Sequence, residues 1–174
     1  GQYQHDVNQT KLKESLVFTT EMAVNRIGVD LNIASPSLLT YVSGIGPTIA
    51  QNIVAYREKN GLFKDRKELL RVGKLGPKAY EQSAGFLRIK DGRNALDNSS
   101  IHPESYEWVQ KMAKDLNVSA NKLIGNEEII SQINIDQYMS DKVGELTLKD
   151  IIKELLKPGV DPRKAFEYAN FDDN

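Results

Sequence analysis

The chain has 174 residues, of which 40% are hydrophobic and 27% charged, enough apolar material for one domain or two small ones and too much for a chain disordered throughout. Its 23 basic and 24 acidic side chains leave a net charge of −1, which excludes a histone-like protein that holds nucleic acid by bulk charge. With no cysteine, disulfides and thiolate metal sites are excluded and a reducing, cytoplasmic setting is expected.

The first ten residues carry no basic-then-apolar leader, and no apolar run reaches the about 18 residues of a membrane span. Leu12, Leu16, Ala23 and Ile27 recur near a helical period and predict a helix from about Asn8 to Arg26, closed by Gly28. Ser35 reads as an N-cap and Pro36 as the first helical residue before Leu38, Leu39 and Val42. Gly44-Ile45-Gly46-Pro47 breaks that helix, and a longer one follows through Ile49, Ile53 and Tyr56 to Asn60-Gly61. Asp65-Arg66-Lys67-Glu68 reads as a capping box before Leu69 and Leu70. Residues 73–77 break the chain again, and a helix runs through Ala79 and Ala84.

Residues 91–94 and 97–100 read as a polar connector. A helix then starts at Pro103, capped by His102, with Tyr106, Val109, Ala113 and Leu116 on one face. Ser119 opens a short turn ending near Gly125, and Asn126 caps a segment with Ile129, Ile130 and Ile133. Thr147 and Asp150 carry the spacing of a cap for Ile151, Ile152, Leu155 and Leu156. Lys157-Pro158-Gly159 stops that helix, and Asp161-Pro162 starts a last short one. No run alternates long enough to read as a strand. The expected fold class is therefore all-α. An N-terminal helical segment (1–34) precedes a hairpin centre (35–93) and a C-terminal helical region (94–174).

Charge is unevenly spread. Residues 57–93 hold 11 basic and 5 acidic side chains, and residues 97–174 hold 9 basic and 15 acidic ones. Such a basic middle is either a polyanion-facing patch or a solvated surface. The same region carries a gap-free repeat of 30 residues: Leu39 matches Leu69, Val42 matches Val72, Ile45 matches Leu75, Gly46 matches Gly76 and Pro47 matches Pro77. Each copy is a short helix, a glycine turn and a second helix. Free N–H groups at such a turn and at the following helix start form an anion site, strengthened by the helix dipole. Backbone donors read phosphate rather than bases, so the binding they support is independent of sequence.

Leu39-x-x-Val42-x-Gly44-Ile45-Gly46-x-x-x-Ala50-x-x-Ile53 resembles the helix-hairpin-helix family in its tandem form. The second copy departs from the pattern where Lys74 replaces the first hairpin glycine and Gly73 is shifted by one. Gly1-Gln2-Tyr3-Gln4-His5-Asp6-Val7, Val29-Asp30-Leu31-Asn32-Ile33-Ala34-Ser35, Gly85-Phe86-Leu87-Arg88-Ile89 and His102-Pro103-Glu104-Ser105-Tyr106 extend the resemblance to the Tex family of bacterial transcription accessory proteins. This resemblance implies a fragment lacking the family's RNase H-like and OB-fold RNA-binding domains. It implies a non-enzymatic module binding single-stranded or structured RNA or DNA, with the transcription machinery as a further partner. The expected contacts are Gly44, Ile45, Gly46 and Thr48 in the first copy, and Gly73, Lys74, Gly76 and Lys78 in the second. The competing reading is a structural module that links neighbouring domains or docks on RNA polymerase.

Enzymatic readings are disfavoured. Gly44-Ile45-Gly46 lacks the third glycine and the preceding strand of a dinucleotide loop. Thr48 stands where the related glycosylases carry a lysine, and Asp65 is better explained as an N-cap. His5 and His102 are far apart, so no metal or cofactor is expected. Tyr106 is assigned to the core, whereas Trp108 is open between core packing and base stacking.

Overall fold

The computed structural model describes residues 13–16, 19–24 and 26–157. The start of the helix expected from Asn8, the pair His5-Asp6 and the helix expected after Asp161 lie outside them. Residues 13–16, 19–24 and 26–27 are helical, and Gly28 (φ +82°) ends that stretch by donating its N–H to the Val24 carbonyl at 2.9 Å.

The molecule is predominantly helical, as expected. One short exception is a parallel pairing of β1 (Val29–Asp30) with β2 (Leu87–Arg88), in which Val29 faces Leu87 and Asp30 faces Arg88. Two-residue strands are too short for any alternation to be visible in the sequence. Between them lie α1 (Pro36–Leu39), α2 (Pro47–Asn60), a 3-10 helix over Arg66–Arg71 and α3 (Pro77–Ser83). Ser35 caps α1 by accepting from the Leu38 N–H at 3.2 Å. Gly61 (φ +87°) closes α2 by donating to the Arg57 carbonyl at 2.9 Å. Asp65 accepts from the Glu68 N–H at 3.0 Å, but Glu68 reaches back to the Lys64 N–H at 2.9 Å, one residue before the cap.

The repeated residues Leu39, Leu69, Val42, Val72, Ile45 and Leu75 are all buried, in one cluster with Val29, Leu31 and Leu87. A second cluster is built by α4 (Tyr106–Asp115), α5 (Ala120–Leu123), α6 (Glu127–Ile130) and α7 (Glu145–Leu156). Here α4 contributes Val109, Met112 and Ala113, and α7 contributes Leu148, Ile151 and Leu155. His102 caps the turn before α4: its Nδ1 accepts from the Glu104 N–H at 3.1 Å, which leaves Nε2 to donate to the Glu81 carbonyl at 2.6 Å.

Two local expectations are corrected. The cap of α7 is Gly144, so Thr147 stands inside the first turn. Leu148 is fully buried and shares a face with Ile151 and Leu155, so the apolar stripe begins earlier than Ile151 and draws the helix start with it. The polar connector is also partly core: Asp97 and Ser99 are buried, as is Leu96 between its two parts.

The reason for that burial is Arg66, only 1% exposed. Its backbone N–H donates to Asp97 Oδ2 at 3.0 Å. Its guanidinium donates to the Leu87 carbonyl at 2.9 Å, the Ile101 carbonyl at 2.7 Å, the Tyr106 hydroxyl at 2.8 Å and the Ser99 carbonyl. Tyr106 in turn donates to Asp97 Oδ1 at 2.5 Å. Burial pushes the Tyr106 phenol well above its usual pKa; Arg66 pulls it down and the bond to Asp97 pushes it up. The cost of burying this cation is offset by its satisfied donors and the nearby Asp97 carboxylate.

Candidate nucleic-acid interface

The two hairpin turns have the same backbone path. In the first, Gly44 has φ +87°, Ile45 is buried and donates to the Val42 carbonyl at 3.1 Å, and Gly46 is the N-cap of α2 (φ −85°, ψ 177°). In the second, Lys74 has φ +66°, Leu75 is buried and donates to the Val72 carbonyl at 3.2 Å, and Gly76 is the N-cap of α3 (φ −90°, ψ −176°). Lys74 thus adopts the left-handed conformation of Gly44, and the sequence departure at this position does not change the turn.

Each turn rests on the second helix of the other copy. Asn52 of α2 donates its side-chain amide to the Gly73 carbonyl at 2.8 Å. A Cβ on Gly44 would stand 3.0 Å from Gln82 of α3 and 3.2 Å from the Ala79 carbonyl. Asn52 and Gln82 are themselves equivalent positions of the 30-residue repeat. The sequence shows the repeat but not this exchange of contacts.

Gly46 and Gly76 are different in kind. Their extended φ values suit any residue, and a Cβ at either would meet nothing within 4 Å. Neither makes a side-chain cap, so the first-turn donors of α2 and α3 are not covered by a capping side chain. Pro47 and Pro77 carry no N–H; Thr48 and Lys78, the next residues, are exposed. Lys74 is exposed as well. Ile45 is buried and its N–H is already given to the Val42 carbonyl, and the Gly73 carbonyl is taken by Asn52.

Part of the basic surplus faces inward. Arg57 donates to the Leu31 and Ala34 carbonyls at 2.9 and 2.8 Å, Arg66 is in the buried network, and Arg88 is 3% exposed. Arg88 Nε has no hydrogen-bond partner, and the Glu154 carboxylate stands 3.9 Å from its guanidinium. Burial, with Arg66 nearby, lowers its pKa to about 10. Charge counted along the sequence therefore overstates the outward potential of residues 57–93. Trp108 is buried, with Lys111 Nζ 4.4 Å from its ring centroid, which removes it as an open stacking platform. Among the described residues no group of three or more His, Asp or Glu side chains could hold a metal, and no helix is long and apolar enough to cross a membrane.

A helix-hairpin-helix motif model matches residues 24–88, and a second model, described as an HHH domain, matches residues 94–163. Over 171 residues, 98% of the chain, the sequence is 52% identical to the transcriptional accessory protein Tex of Neisseria gonorrhoeae. The chain belongs to the Tex family. It is also 49% identical to protein YhgF of Escherichia coli over 173 residues, and 31% identical to the human S1 RNA-binding domain-containing protein 1 over 228 aligned residues. The chain spans 22–23% of the length of these relatives. The second hairpin domain was not legible in the sequence. Among its described residues, those with positive φ are Asn117 (φ +58°) and Gly125 (φ +72°).

Proposed function

We propose that this Tex-family segment is a non-enzymatic module that binds nucleic acid independently of sequence, as part of a transcription accessory protein. Phosphates approach the turns at Gly44–Gly46 and Lys74–Gly76, where backbone N–H groups donate to them and Lys74 and Lys78 add charge. The observation that carries this reading is the pair of N-cap glycines. Neither the backbone angle nor packing requires glycine at Gly46 or Gly76, yet each leaves the first-turn donors open to an anion. The names of the relatives, a transcriptional accessory protein and an S1 RNA-binding domain-containing protein, point to the same chemistry.

The substitution Gly46→Asp tests it. An aspartate at an N-cap accepts from the first-turn N–H groups and favours the helix dipole, so stability holds or rises by about 0.5–1 kcal/mol. The same carboxylate occupies the donors and repels phosphate. The expected outcome is an unchanged or higher melting temperature with a clear loss of oligonucleotide affinity. Undiminished binding by the folded variant sinks the reading. For the unaltered chain, affinity for unrelated oligonucleotides falls steeply with salt. Indifference to salt, with no binding, favours the protein-interaction module instead.

A further inference from the structure

We propose that a cationic groove beside the second hairpin holds a further stretch of phosphate backbone, making the two copies of the repeat functionally unequal. The inference rests on the nucleic-acid reading above and adds a site to it. The groove is about 460 Å³ in volume, and Lys64, Lys67, Arg71 and Arg93 bring its positive charge.

Its geometry is built rather than incidental. The Arg93 backbone N–H donates to the Lys64 carbonyl at 2.7 Å, which pins the connector against the 3-10 helix and brings Arg93 to the groove. The floor is firm: Tyr56 stacks on Phe63 with ring centroids 4.9 Å apart, and the Tyr56 hydroxyl donates to Glu68 at 3.2 Å. Two carboxylates also line the groove, and both are engaged in the fold. Asp65 accepts from the Glu68 N–H and stands 3.6 Å from the Arg93 guanidinium, and Glu68 accepts from the Lys64 N–H. Four cations against two carboxylates leave the groove positive, and all four cations are exposed.

The repeat shows what is special about this position. Lys64, Lys67 and Arg71 correspond, 30 residues earlier, to Ala34, Ser37 and Tyr41. The first copy therefore has the turn without the groove. Arg71 stands only two residues before Gly73, so the groove continues from the second turn along the helix that leads into it. The planar, two-pronged guanidinium of an arginine can donate to two oxygens of one phosphate, and the groove has two such groups. A strand whose phosphates are held at the Lys74–Gly76 turn is thereby offered a continuing track on one side only.

The test compares charge removed here with equal charge removed elsewhere, using a fluorescent oligodeoxythymidylate and the whole chain. Lys67→Gln combined with Arg71→Gln changes two exposed side chains and leaves the buried network alone. This double variant is expected to lower the slope of log affinity against log salt by about two units, about one per lost phosphate contact. Lys114→Gln combined with Lys122→Gln removes the same charge from the second half and should leave the slope unchanged. Equal behaviour of the two variants overturns the groove, as it would if the occupant were an acidic protein segment. The turn reading would survive that result if Gly46→Asp still lost affinity. Absence of any binding by the unaltered chain overturns both.

Discussion

The two hairpins share a backbone but not a mode of support. The first is led by a four-residue helix started by Ser35 and Pro36, with its turn pressed onto α3. The second is led by a 3-10 helix whose Arg66 is anchored across the boundary between the two apolar clusters. Pro36 is the residue equivalent to Arg66, and it makes no such tie. Conformation can thus be repeated while the forces that hold it are not. A pattern of matching apolar positions reports the first and is silent on the second.

The largest way to break this comparison is at its most unequal pair. Arg66→Met leaves the Tyr106 hydroxyl and the Leu87, Ile101 and Ser99 carbonyls without their donor and strips Asp97 of its counter-charge, so a loss of about 3–5 kcal/mol is expected by denaturant unfolding. Pro36→Ala should cost only about 0.5–1 kcal/mol, through the freedom it restores to the unfolded chain. Similar losses from both would mean that the anchoring is not what separates the copies.

Next comes the left-handed position. Gly44→Ala carries both a positive φ and a Cβ close to the Ala79 carbonyl, so a loss of about 1–3 kcal/mol is expected in the melting curve. Lys74→Gly is the opposite exchange and removes a strained side chain, raising stability by about 0.5–1 kcal/mol. It also removes a charge, so the salt dependence of oligonucleotide binding should fall by about one unit. Stability and affinity moving in opposite directions would show that Lys74 is kept for its charge. Affinity unchanged in Lys74→Gly would assign that lysine to solubility alone.

Much of the first half was legible. The repeat interval, the caps at Ser35 and Asp65, the stop at Gly61 and the capping role of His102 all follow from local chemistry, and local chemistry is what a sequence displays. What escaped was non-local. Arg66 counted as a surface cation because its acceptors lie more than twenty residues away along the chain. Asp97 and Ser99 looked like connector residues for the same reason. Thr147 had the right spacing for a cap, but burial of Leu148 decided where the helix begins. At the candidate site, the turn residues could be named from the repeat. Their unequal neighbours, Gln82 against Gly44 and Asn52 against Gly73, could not.

The pairing of β1 with β2 has a mechanical consequence. The chain enters the hairpin unit at Val29 and leaves it at Arg88, and the two strands run parallel. The entering end of β1 and the leaving end of β2 therefore lie at opposite ends of the pair. Tension along the chain pulls them past each other in shear, loading the ladder bonds together rather than one after another. The Leu31 N–H, bonded to the Arg88 carbonyl at 2.9 Å, shares that load. A pull on the flanking chain is thus taken up at this clasp before it reaches the turns at Gly44 and Lys74.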